Sequence, residues 1–153
     1  MKINVVLVYP QIPPNTGSIA RTCAATGAFL HLVKPLGFEV SDNRLRRAGI
    51  DYWTHVNILI HESWEHFLDY RKAQEGRLVS FSPAGVVNCF KFKFQEGDYL
   101  VHGREADGLP QSILTQSDCI LHVPMFSPAV RSLNLASTAT LTIYEAIRQV
   151  YLC

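Results

Sequence analysis

Short apolar runs without polar alternation recur along this chain, each followed by a polar or helix-patterned segment. "INVVLVY" (Ile3 to Tyr9) is the clearest, rich in β-branched residues and uncharged throughout. A strand with one wet face alternates apolar and polar side chains, so an unalternated strand must be covered on both faces. The same reading holds for Phe29 to Lys34, Val56 to Ile60, Arg77 to Phe81, "DYLVHG" at 98–103, and Cys119 to Val123. Between these runs lies helical patterning. Asn15 stands as the N-cap of a helix reaching Ala25, with Ile19, Ala20, Cys23 and Ala24 inward and Gly27 as its stop. A helical turn is expected around Asn43 to Ala48, a helix opened by Ser63 over "SWEHFLDYRKA", and a short one from Gln111 to Thr115. A long helix is expected from Ser132 to Tyr151, where Ala136, Ala139, Ile143, Ala146, Ile147 and Val150 recur every three or four residues. Strands alternating with helices predict an α/β fold with a mostly parallel sheet flanked by helices.

Length and composition narrow the function class. At 153 residues the chain suits one domain, 1–153, and its 48% hydrophobic content is that of an ordinary globular protein. No window approaches the roughly 20 apolar residues of a membrane span. The apolar run after Lys2 leads into "PQIPP" rather than a small-residue cleavage site, so it reads as a buried strand and the protein as cytoplasmic. Cys23, Cys89, Cys119 and Cys153 form no C-x-x-C pair, and the six histidines show no tight ligand spacing, so no metal is assigned. The net charge of +1 decides nothing about nucleic acid, because phosphate binding depends on where cations sit.

In parallel α/β sheets, ligands gather beyond the C-terminal ends of the strands. Three such ends carry unusual loops: "FSPAG" at 81–85, "HGREADGLP" at 102–110 and "PMFSPAVRSLN" at 124–134. None is a familiar phosphate or nucleophile device. "GREADG" has Leu109-Pro110 where a Walker loop needs Lys and Ser or Thr, and no G-x-G-x-x-G follows the first strand. No G-x-S-x-G elbow occurs either. What remains is polar: Asn15, Arg21, Glu105, Ser132 and Asn134, groups that orient substrates rather than attack them. Taken singly, each has an ordinary explanation as a cap, a solvated helix residue or a loop charge. Their weight comes from the motifs that hold them.

Those motifs are "PPNTGSIARTCAATG", "RLRRAGIDYW", "DYLVHGREADGLP" and "VRSLNLASTATLTIYEAIRQ". Together they resemble the SPOUT superfamily of RNA methyltransferases, and most closely the short bacterial tRNA 2′-O-ribose methyltransferases acting at the wobble nucleotide (cytidine or modified uridine) of leucine tRNAs. The resemblance runs from Val5 to about Tyr151. It implies a C-terminal trefoil knot, a homodimer through the C-terminal helix region, no appended RNA-binding domain, and S-adenosylmethionine as cofactor. It places Phe81, Gly103 and Val123 along the cofactor pocket, with Ser132 and Leu133 closing it. Gly103 is then expected to matter because its missing side chain admits the cofactor. His102 and Arg104 depart from the family pattern, which more often has an aromatic or apolar residue and a proline there.

The resemblance also places Asn15, Arg21, Glu105, Ser132 and Asn134 around the methyl group and the target ribose. Arg21 is expected to pair with substrate phosphate and stabilise charge on the attacking oxygen, and Glu105 or a phosphate oxygen to take the proton. Arg44, Arg46, Arg47 and Arg131 become candidate contacts to the tRNA backbone. A related enzyme acting at another RNA position, and a catalytically silent nucleotide- or RNA-binding module on the same fold, are the competing readings. Arg46→Ala is expected to cause a salt-sensitive loss of tRNA affinity with cofactor affinity unchanged, measured by filter binding across a salt series.

Overall fold

The computed structural model describes residues 2–41, 43, 47 and 52–153. Its centre is a seven-stranded, fully parallel sheet in the order β3-β2-β1-β6-β4-β7-β5. The strands are β1 (Asn4–Val8), β2 (Phe29–Val33), β3 (Ile58–His61), β4 (Leu78–Phe81), β5 (Val87–Asn88), β6 (Tyr99–His102) and β7 (Cys119–His122). The helices are α1 (Pro13–Thr26), α2 (Trp64–Lys72), α3 (Gln111–Thr115) and α4 (Leu135–Ile147).

Both faces of the sheet's central strands are covered, as the unalternated runs require, but the expectation fails at the edge strand β3, where Leu59 and Ile60 are exposed. In β1 every residue is buried, and successive side chains enter different cores. Val5 and Leu7 join Ile19, Ala20 and Cys23 of α1 and Ala139, Ile143 and Ala146 of α4. Val6 and Val8 join Trp64 and Phe67 of α2 and Ile113 of α3. The period-2 geometry of one strand therefore serves two hydrophobic layers at once.

Four local expectations change. Helix α1 starts at Pro13, with Ile12 as its N-cap, so Asn15 lies within the first turn and is not the cap. Proline is accepted there because the first turn's N–H groups have no intrahelical partners to lose. The C-terminal helix starts at Leu135 rather than Ser132, and after Ile147 it widens into a π-type turn over Arg148–Leu152. Asn134 is its cap: Oδ1 accepts from the N–H groups of Ala136 (2.8 Å) and Ser137 (3.3 Å). A two-residue edge strand, β5, joins the expected six, too short to carry any periodic signal. The third strand begins at Ile58, two residues after Val56, because a 3₁₀ turn occupies Trp53–His55. Ser63 does cap α2, its side chain accepting from the His66 N–H at 3.0 Å. The turn expected over Asn43 to Ala48, with Arg44 and Arg46, lies outside the described residues except for Asn43 and Arg47.

Three histidines are buried in this framework. His31 Nδ1 and His61 Nε2 lie 3.0 Å apart among Phe67, Tyr70 and Tyr99, with His66 beside His61. Burial, and secondarily the neighbouring His61, pushes His31 below the usual histidine range; burial, and secondarily the neighbouring His66, lowers His61. His102 ends β6, stacked on Phe81 at 4.7 Å between centroids and 3.3 Å from Thr142 Oγ1. Burial lowers it to about 3. The fold accepts these rings neutral, whereas in the unfolded chain they titrate near ~6.5. Their contribution is therefore complete above pH ~6.5 and is lost as pH falls below it, at up to about 1.4 kcal/mol per pH unit for His31 and for His102. His102→Phe keeps the stack and removes one titrating group. Thermal melts of this variant between pH 6 and 4.5 are expected to show a shallower acid loss than the parent.

Candidate active site

β6, β4 and β7 are neighbours, and their register brings Phe81, His102 and Leu121 level across the sheet. The chain leaves all three strands at one rim, so Phe81, Gly103 and Val123 are brought together although each stands some twenty residues from the next in sequence. Phe81 is buried against His102, and Thr142 ties that ring to α4. The floor of the rim is thus anchored in the C-terminal helix.

The loop after β4 is folded onto β7. Ser82 N–H donates to Leu121 O (2.9 Å) and Gly85 N–H to Ser82 O (2.9 Å). His122 Nδ1 lies 2.7 Å from Gly85 O, and since a carbonyl only accepts, Nδ1 carries the proton. A Cβ on Gly85 would strike the Leu121 carbonyl.

The loop after β6 closes on itself. Gly108 N–H donates to Arg104 O (2.9 Å), Gly108 takes φ 72°, and Arg104 pairs with Asp107. A Cβ on Gly103 would collide with the backbone of Gly108 and Leu109. The missing side chain therefore makes room for the loop's own return.

Glu105 leaves that loop for the start of α1. Its carboxylate accepts from Gln11 N–H (Oε2, 2.9 Å) and Ile12 N–H (Oε1, 3.0 Å), with Asn15 Nδ2 at 3.5 Å. Asn15 Oδ1 in turn accepts from Asn134 Nδ2 at 3.0 Å. Glu105, Asn15 and Asn134, 119 residues apart at the extremes, form one polar chain joining the β6 loop, α1 and α4. A carboxylate at unpaired N–H groups before a helix is stabilised by those donors and by the helix dipole.

Arg21 is not part of that chain. Six residues beyond Asn15 on α1, it emerges on another side of the helix, exposed, with its guanidinium 4.8 Å from the centre of the Tyr52 ring. It borders an open groove of about 680 Å³ between α1 and α4, lined also by Ser18, Thr22, Ser137, Thr140 and Tyr144. A second groove of about 540 Å³ runs from Arg21 to Tyr52 and His55. Ser132 and Leu133 are exposed immediately before Asn134, and Arg131 and Arg47 are exposed as well. Arg44 and Arg46 lie outside the described residues. Among the described residues no His, Cys, Asp or Glu side chains gather as a metal site, and no helix is long and apolar enough to cross a membrane. Sequence reasoning passed over His122, Thr142 and Tyr52, whose partners are set by folding and leave no local pattern.

A family model described as the SpoU rRNA Methylase family matches residues 2–144. A Synechocystis sp. protein provisionally named a tRNA (cytidine(34)-2′-O)-methyltransferase is 52% identical over 148 residues, covering 97% of each chain. A solved structure described as "Structural insights into the 2-OH methylation of C/U34 on tRNA" superposes with a TM-score of 0.92 at 44% identity, covering 97% of this chain and 95% of that one. The SpoU methyltransferase AviRb from Streptomyces viridochromogenes, solved with the cofactor AdoMet, superposes with a TM-score of 0.90 at 29% identity, covering 97% of this chain and 57% of that one.

Gly103→Ala is expected to destabilise the protein by about 1–3 kcal/mol in urea melts without any cofactor present, the usual cost of overpacking. Unchanged stability with weakened cofactor binding would instead make the cofactor the neighbour that excludes a side chain.

Proposed function

This chain belongs to the SpoU rRNA methylase family, and from that membership we propose that it methylates the ribose 2′-hydroxyl of nucleotide 34 in leucine tRNAs, using S-adenosylmethionine. The observation that carries the reading is the full-length likeness to the structure concerned with C/U34 methylation. Tertiary geometry supports a cofactor pocket at the joined rim. Phe81 and His102 give an apolar floor, and the loops at 82–85 and 103–110 and the segment from Val123 bring backbone polar groups to one place. Phe81, Gly103 and Val123 would line it, and Ser132 and Leu133 would close it.

Bound there, S-adenosylmethionine supplies a methyl group already activated by its sulfonium. The residues of this chain then have to position the ribose oxygen and manage its proton. Arg21 pairs with RNA phosphate and stabilises the charge developing on the 2′-oxygen; a guanidinium is a donor only, so it does not accept the proton. Both Glu105 oxygens already accept backbone N–H groups, so Glu105 holds the site together and an RNA phosphate oxygen takes the proton. Asn134, held by Asn15 and by its own capping bonds, has one amide hydrogen without a partner among the described residues, available to the substrate beside Ser132. Arg47 and Arg131, with Arg44 and Arg46, meet the tRNA backbone. A knotted C-terminal segment, a homodimer through the C-terminal helix region, and action in the cytoplasm on tRNA complete the reading.

Ribose-methylation mapping of total tRNA is the test, in cells lacking the protein, with and without its restoration. Loss confined to nucleotide 34 of leucine tRNAs, regained on restoration, is the expected result. Loss at another position would overturn the substrate, and no loss anywhere would overturn the activity.

A further inference from the structure

Arg21 is exposed, and an exposed arginine explores many rotamers, so something must hold its guanidinium if it is to meet one phosphate and one oxygen. The structure supplies a platform. The Tyr52 ring lies under the guanidinium at 4.8 Å. Tyr52 itself is fixed from behind: it precedes the 3₁₀ turn Trp53–His55, its carbonyl accepts from His55 N–H at 2.9 Å, and Trp53 and Val56 pack on the main core. The turn is thus rigid and its aromatic face is presented to α1.

We propose that Tyr52 is a positioning residue for methyl transfer, acting through Arg21. A guanidinium over an aromatic face keeps its in-plane N–H fork free, because the contact uses the flat side of the cation. The ring therefore restricts Arg21 without consuming the donors that pair with phosphate. The Arg21–Tyr52–His55 groove is open along this edge, so substrate can reach the fork. The inference rests on the role proposed above for Arg21.

The test is a tRNA methylation assay with separate kcat and KM values, plus calorimetric binding of S-adenosylmethionine, for Tyr52→Trp, Tyr52→Phe, Tyr52→Leu and Arg21→Ala. The expected order of kcat is Trp, Tyr and Phe together, then Leu lower by about two- to five-fold, the rate equivalent of one exposed cation–π contact. The tRNA KM and cofactor affinity are expected to stay unchanged. An exposed ring that merely filled space would not give rescue by every aromatic residue. Leu equal to Phe, with Arg21→Ala impaired, would overturn the inference alone. A raised tRNA KM at unchanged kcat would overturn it by making Tyr52 an RNA contact. Full activity in Arg21→Ala would overturn the reading of Arg21 and this inference with it.

Discussion

The carboxylate of Glu105 joins two segments that the chain keeps about ninety residues apart. It receives the N–H groups of Gln11 and Ile12 just before α1, which has no side-chain cap of its own. Through Asn15 the same chain of bonds reaches Asn134, and Asn134 caps α4. One charged side chain thereby sets the β6 loop against both helices on that face of the sheet. Each bond is worth little by itself, near 1 kcal/mol, but a partner removed from a part-buried network leaves the others unsatisfied. The strand-end loops, and with them the rim at Phe81, Gly103 and Val123, depend on this junction.

The sheet gives the junction something to act on. Three adjacent parallel strands end level, which is why loops from distant parts of the sequence share a rim. Backbone crowding then shapes those loops. Gly85 is pressed against the Leu121 carbonyl, and Gly103 against Gly108 and Leu109, so both glycines are demanded by protein backbone. His102 performs a similar service beneath them, stacked on Phe81 and tied to Thr142. Its neutral state joins the rim to α4 at neutral pH and makes that link acid-sensitive.

The polar residues divide into two groups. Asn15, Glu105 and Asn134 touch one another, whereas Arg21 stands on another side of α1 against Tyr52. The first group joins the β6 loop to α1 and α4; Arg21 borders the open grooves on the other side of α1. The polar junction and the exposed cation thus lie on separate sides of one helix.

Hydrophobic pattern alone determined the α/β class, the mostly parallel character of the sheet, and the position of most strands and of α2 with its Ser63 cap. Those features follow from burial on two faces and from local capping chemistry, both of which are written at spacings of two to four residues. The candidate residues Asn15, Glu105 and Asn134 were visible as polar groups in unusual loops, but their mutual contact was not. Asn15 resembled a cap because its side chain suits that role; the prolines before it moved the helix start, and Glu105 from across the chain satisfied the free N–H groups. Gly103 was legible as a close approach, though what approaches was not. Tertiary structure alone decided the strand order that aligns Phe81, Gly103 and Val123, the partner of each polar group, and the ring beneath Arg21. Such pairings join residues separated by about thirty to more than a hundred positions, and no local periodicity records a contact made across that distance.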